Sequence, residues 1–314
     1  MMNTLTRRSL LTGAGALAAA TVLAACSSSD PLSETPSGGS ASRDNSTLTT
    51  IVVGSQQYYS NEILAEIYAQ AIEHAGLDVD RQFQIGQREI YMPELTKGSI
   101  HVIPEYVGNL LQYLDGDTSA TDADALHAAL VKALPQGLTA YRHAEATDQD
   151  SYTVTAALAQ ERGLVTLADL AKLGRTVKVA ANSEFATRPY GPQGLTREYD
   201  VDAEVTPVED SGGPLTVKAL LDGDVDVADI YTSDPAIEDN GLTVLEDPKG
   251  LILPQNVVPV VADGLPSAVR TAVEQVQAAL TSSELRALNK RSTSEGLESA
   301  KIAKDWLTAQ GLLG

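Results

Sequence analysis

From residue 48 onward, the chain alternates short β-branched runs with stretches in which apolar residues recur at helical spacing. Thr50-Ile51-Val52-Val53 predicts a strand, and Ile63, Leu64, Ile67, Ala71 and Ile72 line one face of a helix that stops at Gly76. The strand texture returns at residues 100–103, 152–155, 177–180, 225–230 and 257–261, with helical patterns between them. Residues 266–313 read as helical, with the lone Trp306 in a packing role. This alternation predicts an α/β fold with largely parallel sheets and no internal repeat.

Upstream the pattern breaks. Residues 27–47 are mostly Ser, Gly, Pro, Asp and Thr, a composition that cannot offset its own ordering entropy, so 26–47 is expected to be a flexible linker. Before it, Arg7 and Arg8 precede an apolar run from Leu10 to Val22 that is too short to span a bilayer, which predicts a signal peptide over 1–25. Leu23-Ala24-Ala25-Cys26 resembles a bacterial lipobox, in which the cysteine is acylated and becomes the first mature residue. Thr6-Arg7-Arg8-Ser9-Leu10-Leu11 also resembles a twin-arginine signal, so both export routes stay open. The expected location is the extracytoplasmic face of the cell membrane, reached through lipid on Cys26. With no other cysteine, disulfides, thiol catalysis and Cys-ligated zinc are excluded from the mature fold.

Charge narrows the partners. The chain has 42 acidic and 22 basic residues, a net charge of −20, which becomes about −22 once Arg7 and Arg8 leave with the leader. Such a surface repels nucleic acid and anionic headgroups, so membrane contact falls to the acyl chains. With 43% hydrophobic residues the chain can bury a core. Roughly 265 residues after the linker suit two lobes of ordinary domain size.

The catalytic inventory is thin. No Gly-x-Ser-x-Gly elbow, His-Glu-x-x-His or Walker loop is present, and His74, His101, His127 and His143 are scattered singly. Asp222, Asp224, Asp226 and Asp229 superficially suggest calcium. Val227, however, stands where an EF-hand needs glycine, and the alternation with Val and Ala reads as a turn feeding a strand. Glu94 and Glu105 lack glycosidase spacing, and Glu94 fits a solvated helix face. Neither a metal nor a cofactor is implied.

Tyrosine usage stands out, with eleven Tyr against two Phe and one Trp. Tyr106, Tyr152 and Tyr231 fall at element ends, where an α/β sheet presents residues to a ligand crevice. Gathered ring faces can hold a cation, above all a quaternary ammonium that donates no hydrogen bonds. The alternative is that these are ordinary amphipathic boundary residues.

Six blocks in order carry a resemblance. They are Ile51-Val52-Val53-Gly54-Ser55; Ile103-Pro104-Glu105-Tyr106-Val107-Gly108; Leu167-Ala168-Asp169-Leu170; Glu184-Phe185-Ala186-Thr187-Arg188-Pro189; the run from Gly223 to Asp234; and Leu245-Glu246-Asp247-Pro248-Lys249-Gly250. After the linker, nearly the whole chain resembles the substrate-binding lipoproteins of ABC importers for osmoprotectants such as glycine betaine, choline, carnitine and proline betaine. The resemblance implies a two-lobed type II periplasmic-binding-protein fold, with 48–150 plus 253–314 as lobe 1 and 151–252 as lobe 2. It also implies a monomeric, non-enzymatic receptor that captures a small molecule between its lobes and presents it to the importer's permease.

Carried over by position, the resemblance implies a cage from Tyr106, Tyr152 and Tyr231, and a carboxylate grip by Arg188. Three positions depart from the family pattern. Gln56 replaces a lysine, Gln255 replaces a tyrosine, and Asn109 replaces a threonine. Losing one cation–aromatic contact and one charged hydrogen bond weakens a betaine by about two to three decades. Either betaine affinity is low, or the ligand is richer in hydroxyl, amide or aromatic groups, with Tyr58 and Tyr59 as nearby stacking surfaces. Two competing functions remain at this point. One is an exported enzyme using Glu105, Asp229 or Asp234 as acid or base, and the other is a receptor that reports to a signalling partner.

Overall fold

The computed structural model describes residues 45–115 and 120–314. The leader, Cys26 and the linker to residue 44 lie outside the described residues. In chain order the elements of the first half are β1 (Thr50–Gly54), α1 (Tyr59–His74), β2 (Asp78–Gln82), α2 (Arg88–Lys97), β3 (Val102–Tyr106), α3 (Val107–Leu114), α4 (Ala123–Ala133), β4 (Leu138–Ala140), β5 (Tyr152–Thr155) and α5 (Ala156–Arg162). Then follow β6 (Val177–Ala181), α6 (Pro192–Tyr199), β7 (Ala203–Pro207), α7 (Pro214–Leu221), β8 (Val227–Asp229), α8 (Ala236–Asp239), β9 (Leu242–Val244), β10 (Val257–Ala262), α9 (Ser267–Ala279), α10 (Ser282–Thr293) and α11 (Ser299–Ala309). Short 3-10 turns at Leu167–Leu173 and Ser183–Thr187 flank β6.

Two five-stranded sheets form, in the orders β2-β1-β3-β10-β4 and β7-β6-β8-β5-β9. They are mixed rather than largely parallel. β1 runs parallel to β2 and β3, and β6 to β7 and β8, whereas β10 and β5 run antiparallel to both of their neighbours. These two strands enter their sheets from the other lobe. They therefore escape the helical crossover that holds consecutive strands parallel. Periodicity reports which face a strand buries and is silent on its direction, so the sequence carried no sign of this.

Each sheet is covered on both faces, which is why its strands read as continuous apolar runs. In the first sheet Ile51, Val53, Val102, Val257 and Val261 pack under α1 and the three C-terminal helices, while Ile103, Val258 and Val260 pack against α2, α3 and α4. α1 is buried on most of its circumference, and its Tyr68 hydroxyl donates to Gln277 Oε1 at 2.8 Å. Trp306 packs as expected, with its indole N–H donating to Glu284 at 2.7 Å. In the second sheet Val154, Val177, Val179 and Val227 share one core, and Ala180, Ala228 and Ile230 the other.

The two chain crossings between the lobes lie side by side. Thr147 pairs antiparallel with Asn256, and the Asp148 N–H donates to the Gln255 carbonyl at 3.1 Å. The second crossing also caps α3. Its first three N–H groups donate to the Asn256 carbonyl, the Pro254 carbonyl and Gln255 Oε1. Glycine at 108 permits this approach, since a Cβ there would sit 2.7 Å from the Pro254 oxygen.

Candidate functional site

Parallel strands of both sheets end at one cleft. β1 delivers Gln56 and Tyr58, β3 delivers Tyr106, the turn after β6 delivers Asn182, Glu184, Phe185 and Arg188, and β8 delivers Asp229 and Tyr231. Asp148 and Asp150 come from the first crossing, Arg88 from α2, Asn109 from α3, and Tyr190 from the turn before α6. Together they line one cavity that is partly open to solvent. The carboxyl ends of strands are where open α/β sheets bind ligands.

Four tyrosines and a phenylalanine form its aromatic wall. Tyr58 and Tyr231 meet edge to face across the lobes with ring centres 5.2 Å apart, and Phe185 stands edge to face with Tyr190 at 5.8 Å. Burial raises the hydroxyl pKa of Tyr58, Tyr106, Tyr190 and Tyr231, so all four present neutral, electron-rich rings.

The rest of the lining is acidic. Burial pushes the Asp148 carboxyl up to about 7, against the opposing pull of hydrogen bonds from Ser233. Asp150 and Asp229 interact directly. Burial raises both, and the charge of Asp150 raises Asp229 further, so the pair tends to keep one proton. Burial also raises Glu184. Both lining cations have glutamate partners of their own, although the charge of Arg88 still pulls Asp150 down and that of Arg188 pulls Glu184 down. Arg88 grips Glu105 through Nε and Nη2, both at 2.8 Å, and Arg188 Nη1 reaches Glu89 at 3.0 Å.

The sequence-predicted residues divide into two sets. Gln56, Tyr106, Asn109, Arg188 and Tyr231 line the cavity. Asn109 Nδ2 donates to Asp150 at 2.5 Å, and the Arg188 guanidinium joins the lobes through Glu89 and lies 5.9 Å from the Tyr113 ring centre. Tyr152 and Gln255 are not among the residues that line the cavity and pack behind them. Tyr152 packs edge to face on Phe185, and its hydroxyl donates to the Tyr190 carbonyl at 2.8 Å. Gln255 is fully buried, and its amide is consumed by the Asn109 N–H, Asn109 Oδ1 and the Leu253 carbonyl. Both residues brace groups that line the cavity.

Sequence reasoning missed Tyr190, Asp148 and Asp150 as cleft residues. Tyr190 follows the Arg188-Pro189 pair directly, and Asp148-Gln149-Asp150 sits just ahead of β5. Those positions beside a recognised block and a strand start were the available signal. Glu105, weighed as an acid or base, is locked by four donors: Arg88 Nε and Nη2, the Tyr91 hydroxyl and the Tyr106 N–H. The aspartate cluster after α7 forms the expected turn into β8. Within it Asp226 accepts both Arg175 terminal nitrogens, and Asp229 reaches the cleft.

The raised Asp148 carboxyl sets a pH dependence. Its folded pKa of about 7 exceeds the ordinary aspartate value of about 3.9, so the folded protein holds a proton that the unfolded chain has released. Stability is therefore expected to fall as pH rises between about 4 and 7, by on the order of 4 kcal/mol from this group. Urea unfolding at several pH values checks this. Asp148→Asn should flatten the fall and be the more stable protein at pH 8, whereas parallel curves for the two proteins would contradict the assignment.

Comparison with known proteins places these features. The family model described as the substrate-binding domain of the ABC-type glycine betaine transport system matches residues 49–309. The chain is 25% identical over 284 residues to the glycine betaine-binding protein YehZ of Escherichia coli K12, covering 83% of this chain and 90% of that protein. It is 22% identical over 287 residues to the carnitine transport binding protein OpuCC of Listeria monocytogenes, covering 87% and 89%. A crystal structure titled as a glycine betaine/carnitine/choline ABC transporter aligns with a TM-score of 0.68 at 22% identity, covering 84% of this chain and all of that one.

Proposed function

The chain belongs to the family of substrate-binding domains of ABC-type glycine betaine transport systems, binding proteins rather than enzymes, and from that premise we propose that it captures an organic cation between its lobes and presents it to an importer's permease. The observation that carries this reading is the cavity itself, where tyrosines from both lobes surround a space whose only lining cations among the described residues are already paired with glutamates. Ring faces and a cluster of four carboxyl groups, Asp148, Asp150, Glu184 and Asp229, both favour a positive guest.

Each lobe supplies half of the grip. Tyr58, Tyr106, Gln56 and Asn109 come with the first sheet, and Tyr190, Phe185, Arg188 and Tyr231 with the second. A ligand that touches both halves favours the closed arrangement by its extra contacts there. Arg188 to Glu89, and Gln57 Nε2 to Ser211 Oγ at 3.2 Å, then act as latches across the cleft. The paired crossings near residues 150 and 253 serve as the hinge between lobes 48–150 plus 253–314 and 151–252. In this reading Arg188 closes the lobes and no longer grips a ligand carboxylate. Lipid on Cys26 tethers the receptor outside the cell, and residues 27–47 let it reach the permease.

Small-angle scattering with and without ligand tests capture by closure. A ligand that raises the melting temperature should also compact the mature chain. Stabilisation with no compaction would overturn the closure mechanism.

A further inference from the structure

Within one cavity, three deeply buried polar atoms have no hydrogen-bond partner among the described residues: Asp148 Oδ2, Gln56 Nε2 and the Tyr106 hydroxyl. Their residues are only 5%, 3% and 3% exposed. Buried polar groups are nearly always paired, and leaving one bare is costly, so three bare atoms on residues that line one cavity point to partners supplied by a guest. Several neighbouring polar groups are already engaged. Asp148 Oδ1 accepts the Ser233 N–H at 3.0 Å, Asp150 accepts from Asn109, and Asp229 accepts the Ser151 N–H at 3.2 Å.

The pattern is specific. Once Asp148 is ionised, above its raised pKa of about 7, its Oδ2 needs a donor, Gln56 Nε2 needs an acceptor, and the Tyr106 hydroxyl can play either part. A fully alkylated nitrogen has no hydrogen to give, so it would leave the carboxylate oxygen bare within a dry cage. A carboxylate on the guest would be buried beside Asp148, Asp150, Asp229 and Glu184, with both arginines already engaged.

We infer that this cavity is built for an organic cation with a hydrogen-donating nitrogen and no carboxylate, its N–H directed at Asp148 Oδ2 and a neutral acceptor oxygen at Gln56 Nε2. The inference rests on the cation-receptor reading and narrows it from quaternary ammonium to protonated amine. It also assigns Asp148 as the residue that distinguishes the two.

Matched probes test it on the mature chain. Choline and N,N-dimethylethanolamine share a skeleton and differ by one methyl in place of the N–H, and glycine betaine and N,N-dimethylglycine form the same pair with a carboxylate. Titration calorimetry should find dimethylethanolamine binding about tenfold or more tighter than choline, the gain of one charge-assisted hydrogen bond, with both carboxylate compounds weaker than either. Asp148→Asn should bring the two affinities together by weakening dimethylethanolamine more than choline, with circular dichroism showing that the variant is folded. If that variant does not fold, the wild-type ratio alone decides. Choline binding as tightly as dimethylethanolamine, or glycine betaine binding tightest, overturns the inference and leaves the receptor reading standing. No binding by any of the four overturns both.

Discussion

Arg88→Met is expected to cost the protein about 3–5 kcal/mol, the usual penalty for stranding one partner of a buried ion pair. Glu105, on β3, is fully buried, and Arg88 beside it is 5% exposed, so water reaches neither charge. The two parallel Arg88 bonds of 2.8 Å supply the only positive charge among the four donors to that carboxylate; the Tyr91 hydroxyl and the Tyr106 N–H are neutral. Removing the guanidinium leaves a buried acidic group with two neutral dipoles to hold it. Against a typical total of about 5–15 kcal/mol, that loss unfolds a substantial fraction of molecules under mild denaturant. The double variant Arg88→Met with Glu105→Leu should recover much of the loss, because it removes the stranded charge as well. Urea midpoints at unchanged slope measure both, and a single-variant cost below about 1 kcal/mol would show that the pair is better hydrated than its burial implies.

Tyr231→Ala is expected to weaken capture of an organic cation by about 70- to 400-fold with little change in fold. One desolvated cation–aromatic contact is worth about 2 kcal/mol, and the edge-to-face contact with Tyr58 that orients its neighbour adds about 0.5–1.5 kcal/mol. Tyr231→Phe keeps the ring and should retain most of the affinity, because no hydrogen bond through the Tyr231 hydroxyl enters the argument. Equal losses in the two variants would mean that the hydroxyl, and not the ring face, holds the ligand.

Much of this molecule was legible in its sequence, and the illegible parts share a cause. Strand positions followed from β-branched runs, and Tyr106 and Tyr231 line the cavity from places where a strand ends. Tyr152 opens its strand, and alternation alone cannot say whether such a ring faces the ligand or supports the residue that does. Here it carries the Tyr190 carbonyl. Gln255 was read as a replacement wall because a family tyrosine stands at that position, yet its amide completes the N-terminus of α3, a contact 146 residues away in sequence. Asp148 and Asp150 lie on a crossing segment with no periodicity, so no local pattern announced two buried carboxylates. The antiparallel entry of β5 and β10 was invisible for the same reason, since direction is set by where the chain comes from and not by its residues.

The most direct test of the account is calorimetric titration of the mature chain with small organic cations, zwitterions, neutral polyols and organic anions matched in size, repeated on Tyr231→Ala. The account predicts one site per chain that takes cations most tightly and loses them in the variant. Tight binding of a neutral or anionic compound, unaffected by Tyr231→Ala and with no cation bound, would contradict it.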